Sequence, residues 1–557
     1  MPLCRSIIVC RNAEAASSLK NVLRILKRSG RPATESPTVQ VTASSTPLPE
    51  SVSVAGVNRL VSGANEEPRQ RLATHTAGDG SSVPAGLPVV TETGEDPRQR
   101  QRLFVVGMGG GGGNLTVGFQ NPPDWLTQGD AIAAKKEYYP VEVAVFDTNE
   151  QAKLLLKRRE FGFTGEPYIL TGLTREQLLQ FFTQRLGTPT VGDGSSVPAG
   201  LASERISAGA GRHPLLAREM VIRNLAENGD VIAANLRSTY MFRKGAIITA
   251  HTVNGGTGSG ISPVIMDFLT RKFFDEHPGL ALDLAILPET NVIRGASGFY
   301  PANAIVSLNQ ILKQRTIPDA VILIDNEHIR KVFGARNNLE INRVVRSAML
   351  PLMLCSEAAL AWPYFGDQPD LSNIRSFIRP GKGFGLATFC TVGYAVSGSP
   401  GRFKGLSQFF KELVGAAFQQ TMIDLQSGTG TSDEALRPDS AIAVFVASPE
   451  FYEKRLGNDS SSVTALVDEV VSRVGVTSDK RCLIHYIAVP GISEVMLSLL
   501  LSGVESQKLR LMWSMAHGIP MNPQERTVDA IRNIPPDRIE ELAFREIRDH
   551  IKELNNQ

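Results

Sequence analysis

GAIITAHTVNGGTGSG, residues 245–260, carries a strand, a glycine-rich loop and the start of a helix in one run. Residues 245–253 are mostly apolar or β-branched and read as a buried strand. Seven glycine-rich residues, Asn254 to Gly260, follow and lead into a helical pattern. A glycine loop between a strand and a helix lets the backbone approach a phosphate closely. It also aims several N–H groups at that phosphate, at the positive end of the helix. Thr257 and Ser259 add hydroxyl donors to this nest of amides.

The same arrangement occurs earlier. LFVVGMG, 103–109, is an apolar run ending in glycines, and GMGGGGGN continues it from Gly107 to Asn114. Alone, that run partly mimics the dinucleotide fingerprint GxGxxG. Two glycine-rich phosphate loops in one α/β region are a different matter, since a dinucleotide dehydrogenase needs one. The P-loop pattern GxxxxGK[ST] is absent, and no lysine sits in either loop. Phosphates would therefore be held by amide dipoles and a bound cation.

Outward from these loops, strands alternate with helices. VEVAVFDTN (141–149) predicts a strand and 149–159 a helical stretch. PYILTG (167–172) predicts a short strand and 174–186 an amphipathic helix. A helix is predicted from about 214 to 228, a strand at 282–288, a helix near 302–314 and a strand at 319–325. This alternation predicts a doubly wound, mostly parallel α/β sheet over 102–338, with a loop insert near 188–205. A long central helix is predicted over 339–362. A second, smaller α/β domain is predicted over 363–530, with strand-like stretches at 384–396, 440–447 and 482–490 and helical ones at 404–426 and 449–474. Residues 531–557 predict a charged terminal helix, opened by proline and carrying acids and bases at helical offsets.

Residues 1–101 have another character. The first 35 carry seven basic residues against Glu14 and Glu35, a composition that overlaps with organellar transit peptides, but the irregular apolar spacing favours a basic tail. Residues 33–101 are rich in Pro, Ser, Thr and Gly without periodicity, and are expected to be disordered because they bury too little apolar surface. GDGSSVPAGL occurs at 78–87 and again at 192–201, and reads as a surface insert in both places. The 557 residues are 42% hydrophobic with net charge +2, which calls for no nucleic acid partner. Five scattered cysteines support neither a zinc ribbon nor a disulfide framework, and point to a reducing, cytoplasmic setting. No apolar run reaches the ~18 residues of a membrane span, so no direct membrane insertion is expected.

The two loops, with their neighbours, resemble the tubulin/FtsZ superfamily. GGTGSG after a strand is similar to its signature, and the glycine run before Asn114 to the first nucleotide loop of FtsZ. DTNEQA (147–152) resembles the loop after the second strand, and GAGRHPLLARE (209–219) the loop flanking the γ-phosphate. DNEHI (325–329) and INRVVRSAM (341–349) are closer to tubulin, whose matching strings supply two asparagines that read guanine.

The resemblance implies GTP or GDP with Mg2+ as ligands, and a head-to-tail filament of this chain as the partner. It implies nucleotide contacts from Gly109, Gly110, Gly111, Gly112, Gly113 and Asn114, and from Asp147 and Asn149. It adds Gly209, Gly211, Gly255, Gly256, Thr257, Gly258, Ser259 and Gly260, with Asn326 and Asn342 on the base. Asp147 and Asn149 are also candidates beside Mg2+, but no metal ligand is assigned.

The resemblance further implies hydrolysis in trans, by a loop whose acids enter the neighbouring subunit's site. The corresponding stretch is QPDLSNIRSF, 368–377. Asp370 matches the first acid, Asn373 stands where the second is expected, and Asp367 is a substitute. A neutral amide is a poor base beside a carboxylate, so slow hydrolysis is one expectation. Three readings stand: a polymerising GTPase, a GTP-binding scaffold with little hydrolysis, and an NAD(P)-dependent oxidoreductase. Against the last, Asp147 lies more than 30 residues beyond the glycine run, where ~20 is usual.

Overall fold

A computed structural model describes residues 103–127, 139, 141–149, 151–156, 163–170, 213–239, 245–273, 280–295, 299–314, 318–355, 371–378, 387–397, 405–425, 438–456, 466, 468–472 and 482–555. The N-terminal 101 residues, the helix predicted at 174–186 and the insert near 188–205 lie outside them.

The described chain builds one ten-stranded sheet in the order β3-β2-β1-β4-β5-β6-β7-β10-β8-β9. The strands are β1 Leu103–Met108, β2 Val141–Asp147, β3 Tyr168–Ile169, β4 Ala246–Thr252 and β5 Leu280–Leu287. They continue with β6 Ala320–Asp325, β7 Thr388–Ser397, β8 Ser440–Ala447, β9 Cys482–Ala488 and β10 Val495–Ser502. Only the two pairings of β10, with β7 and β8, are antiparallel. The mostly parallel sheet read from the sequence is thus present. Its first six strands follow the doubly wound order 3-2-1-4-5-6, so the winding reverses between β1 and β4.

The principal helices are α1 Gly109–Val117, α2 Gln151–Leu156, α3 Pro214–Thr239, α4 Thr257–Phe273, α5 Thr290–Gly295, α6 Phe299–Leu312 and α7 Asn326–Phe333. Next come α8 Asn338–Leu354, α9 Leu371–Ile378, α10 Leu406–Gln419, α11 Gln507–His517, α12 Thr527–Arg532 and α13 Pro536–Asn555. Strand alternation sorts them onto two faces. Leu103 and Val105 of β1 point to the side of α1 and α8, whereas Phe104, Val106 and Met108 point to that of α3 and α4. In α4, Ile261, Ile265, Met266 and Leu269 recur at helical spacing and are buried, each worth about 1.5–3 kcal/mol. Helices α6, α10, α11, α12 and α13 cover the far part of the sheet in a third cluster.

Two features position the site. Pro263 lies inside α4 and has no N–H to donate to the Ser259 carbonyl four residues back. The Ser307 hydroxyl on α6 donates to that carbonyl instead, at 3.3 Å. The second feature is a splay in the sheet. β6 and β7 pair directly only at Ala320–Thr388, Val321–Phe389 and Ile322–Cys390. Beyond that the backbone of Met422 enters between them: Asp325 N donates to Met422 O at 2.8 Å, and Met422 N donates to Val392 O at 3.0 Å.

Candidate functional site at the switch point

In an open α/β sheet, a ligand lies in the crevice outside the carboxyl ends of the strands where the winding reverses. Here that crevice is flanked by the loops leaving β1 and β4, the two glycine-rich stretches.

They interlock. Gly109 has φ +66, a conformation that favours glycine, and a Cβ there would stand 2.8 Å from Gly258 N. A Cβ on Gly258 would in turn stand 2.7 Å from Met108 O. Neither loop has room for a side chain against the other. Gly112 is pressed onto the backbone of β4, where a methyl would overlap the Ala250 carbonyl oxygen. Gly110 differs: a Cβ there meets nothing within 4 Å. Gly111, Gly113 and Gly255 are packed against Thr252, Val145 and Thr252 respectively, and Gly260 against Pro214.

Both helix starts favour an anion. Met108 provides no side-chain cap for α1, and neither α1 nor α4 carries an acid in its first turn. The first-turn amides of α1 therefore have no capping side chain. In α4, Ser259 Oγ donates to Gly255 O and to Gly256 O, folding the loop back on itself.

The β2 loop joins the same place. Thr148 and Thr257 share a hydrogen bond between hydroxyls at 2.7 Å. Asn149 N donates to Asp147 Oδ1 at 3.0 Å, and Gln151 N to Asn149 Oδ1 at 2.9 Å. Asp147 is buried, and burial pushes its carboxyl up to about 6 despite the Asn149 and Thr148 amides, which pull it down. Between the ordinary value of 3.8 and about 6, the folded protein holds a proton that the unfolded chain has released. Stability therefore falls as pH rises through that window, by at most about 3 kcal/mol. Asp147→Asn keeps an acceptor for Asn149 and removes the ionisation. Its urea midpoint is expected to exceed wild type at pH 7.5 and to match it near pH 4 in the ligand-free protein. Equal pH slopes for the two proteins would refute the burial account.

The two asparagines expected on the base behave differently. Asn342 on α8 donates its Nδ2 to Asn114 O at 3.1 Å, tying the central helix to α1. Arg346, one turn on, donates to Gly118 O at 2.9 Å. Asn326 is the first residue of α7, which packs against α8. The cap of α7 is its neighbour Asp325, whose carboxylate accepts from Glu327 N and His328 N. Asn326 is half-buried and is not spent on capping.

Asn373 lies in α9, at the other edge of the sheet. Arg375 pairs with Asp319 just before β6, at 2.9 Å, and Ser440 at the start of β8 donates to Phe377 O at 2.7 Å. Gly209, Gly211, Asp367 and Asp370 lie outside the described residues. His213 precedes α3, and burial lowers its pKa to about 4. Among the described residues, no group of three or more His, Cys, Asp or Glu gathers to hold a metal ion, and no helix is long and apolar enough to cross a membrane.

Beneath the second loop lies a set of residues outside the expected site. His251 Nε2 and Asp283 Oδ2 are 3.0 Å apart and both side chains are almost fully buried. Asp283 Oδ1 also accepts from Thr249 at 2.6 Å and from Ser262 on α4 at 3.3 Å. The signal was a lone carboxylate inside the apolar strand LALDLAIL. Thr148 lies within DTNEQA, but its hydroxyl contact with Thr257 has no mark of its own in the sequence.

No family model matches this sequence, and no curated protein matches it. Solved structures do. The protofilament structure of CetZ2 from Haloferax volcanii, with GTPγS bound, is 16% identical and aligns with TM-score 0.50, covering 75% of this chain and 98% of that one. CetZ1 from the same organism, a GDP-bound monomer, is 19% identical with TM-score 0.49, covering 75% and 99%. An FtsZ dimer from M. jannaschii is 15% identical with TM-score 0.44, covering 73% and 89%. The chain has a tubulin/FtsZ-like fold.

Proposed function

We propose that this chain, built on a tubulin/FtsZ-like fold, is a GTP-binding cytoskeletal protein that assembles head to tail and completes GTP hydrolysis between subunits. The observation that carries the reading is the interlocked pair of glycine-rich helix starts at the switch point, with no acid in either first turn. A single-loop dinucleotide site has no use for the second helix start, which counts against the oxidoreductase alternative.

The residues fit a guanine nucleotide with Mg2+. Amides of 109–113 and 256–260 suit the phosphates, with the Thr257 hydroxyl beside them. A bound Mg2+ would neutralise phosphate charge and favour the ionised form of Asp147, with Asn149 as a second oxygen donor. Asn342 spends its Nδ2 on Asn114 and keeps Oδ1 as an acceptor. Guanine offers N1–H and a 2-amino group to an acceptor, whereas adenine offers a bare N1. An unpaired polar group in such a pocket costs about 1–3 kcal/mol, which sets the preference.

Support for assembly comes from the position of α9. It sits where β6 and β8 begin, while the glycine loops sit where β1 and β4 end. The eight residues of β5 alone separate these edges by about 26 Å. Asp367 and Asp370, immediately before α9 in sequence, would then serve the site of the next subunit in a head-to-tail stack. Asn373 favours a second reading, a filament that binds GTP and hydrolyses little, because an amide does not take the proton of an attacking water.

The test uses Gly110→Asp. Its side chain enters open space, and an acid in the first turn supports α1 by about 0.3–1 kcal/mol. The same carboxylate opposes a phosphate. The expected result is an unchanged or raised melting temperature with guanine nucleotide affinity reduced on the order of 100-fold. Unchanged affinity would sink the phosphate assignment. On wild type, phosphate release per subunit should rise from near zero as concentration increases, together with the pelleted fraction. GTP-dependent pelleting without phosphate release would select the second reading, and no dependence on GTP would remove both.

A further inference from the structure

The base end of the proposed site is held by a residue from the far end of the chain. Lys508 is the second residue of α11, which follows β10. Its ammonium lies 2.6 Å from Asp325 Oδ1 and 3.0 Å from Glu327 Oε2, and its side chain is only 9% exposed. Asp325 is buried and Glu327 half-exposed. Asn326 stands between them.

Each carboxylate already has a local task. Asp325 caps α7, accepting from Glu327 N at 2.9 Å and His328 N at 3.3 Å. Glu327 Oε2 accepts from the Thr290 amide and hydroxyl at 2.9 and 2.6 Å, which ties α7 to the start of α5. These bonds, with Lys508 beside them, hold the Glu327 carboxyl down at about 2. Arg330 continues the lattice, pairing with Glu289 and donating to Asn338 Oδ1 on α8 at 2.8 Å. Two carboxylates two residues apart would repel without a shared cation. Lysine, a compact charge with three donors, meets both and leaves few alternative geometries for the turn between them.

We propose that Lys508 is a positioning residue for base recognition: it pins the residues on both sides of Asn326, so the β10–α11 segment sets how tightly the site discriminates guanine. This rests on the reading of Asn326 and Asn342 as the base pocket. It goes further in assigning control of that pocket to a helix from the C-terminal part of the chain, which reaches α7 through two charge-assisted bonds.

The experiment compares GDP, IDP and tripolyphosphate as ligands of full-length wild type, Lys508→Met, Lys508→Arg and Glu327→Gln. IDP lacks the 2-amino group, and tripolyphosphate lacks the base. For Lys508→Met, GDP affinity is expected to fall on the order of 10-fold and the GDP-to-IDP ratio to shrink toward one, with tripolyphosphate binding unchanged. Lys508→Arg keeps the charge and should recover part of the ratio. Glu327→Gln, at a half-exposed carboxylate, gives the same direction with a smaller change and serves if Lys508→Met does not fold.

A lower melting temperature with an unchanged GDP-to-IDP ratio would make Lys508 merely structural and overturn the proposal. Equal loss of all three ligands would overturn it too, since the effect would then be general. If wild type binds tripolyphosphate but does not prefer GDP to IDP, the base-pocket reading falls, and this inference with it. If wild type prefers GDP and the variants do so equally, the inference alone fails.

Discussion

Gly112→Ala is expected to leave no protein that both folds and binds nucleotide. The added methyl would overlap the Ala250 carbonyl oxygen and stand 2.7 Å from Ala250 C and 3.0 Å from His251 Cα. All three are backbone atoms of β4 in the middle of the sheet, so no side chain can rotate away. β4 is held on both sides, by β1 and β5, along most of its length. The yielding element must be α1, and moving it opens the gap between Gly109 and Gly258 on which the site depends. Overpacking a close-packed core costs about 1–3 kcal/mol when side chains can adapt, and a clash of backbone with backbone should exceed that. The measurement is the thermal midpoint of purified protein beside Gly110→Ala, where the same methyl meets open space. A Gly112→Ala protein melting with wild type would show that α1 does not pack on β4 as described.

Asp283→Ala is expected to destabilise by about 3–5 kcal/mol, the usual effect of removing one member of a buried charged or hydrogen-bonded pair. Three donors or potential donors converge on that carboxylate: His251 and Thr249 from β4, and Ser262 from α4. Truncation removes the acceptor of His251 Nε2 and Ser262 in a place without solvent and leaves Thr249 only its 3.4 Å contact with Leu282 O, which together is costlier than the loss of any one bond. Asp283→Asn retains one oxygen and should recover a substantial part, because the His251 ring can turn acceptor toward the new amide. Urea unfolding of the three proteins separates these outcomes. An alanine variant within about 1 kcal/mol of wild type would refute the network. Because β4 runs straight into Asn254–Gly260, loss of this anchor should also weaken nucleotide binding in the fraction that folds.

The first half of the fold was legible because its strands are short apolar runs with glycine or proline near their ends, and because motif order constrained their succession. Boundaries slipped where a residue has two uses. The helix expected to end near 228 runs on to Thr239 through Gly229, a residue type that can stop a helix or sit inside one. β10, VMLSLLLS, passed unread because it is apolar on both faces and shows no period. It pairs with β7 and β8, neither of them its chain neighbour. At the site, the glycine loops were plain in the sequence because their chemistry is carried by backbone. Asn326 follows a strand, a place that suits a helix cap, but Asp325 takes that role. Lys508 was invisible: a lysine at a helix start says nothing of a carboxylate 183 residues away.

The wedge of Met422 between β6 and β7 has a mechanical meaning. A sheet joined by a full ladder resists torsion along its whole width, whereas here three direct residue pairs carry the joint. Past them the strands communicate through one inserted backbone unit, like two leaves of a door on a single pin. A twist of the β7–β10 leaf against the β1–β6 leaf is opposed at this joint by three ladder pairs and this one bridge, fewer bonds than a full ladder would supply. The pin stands at Asp325, so whatever rotates the leaves pulls first on the turn that carries Asn326.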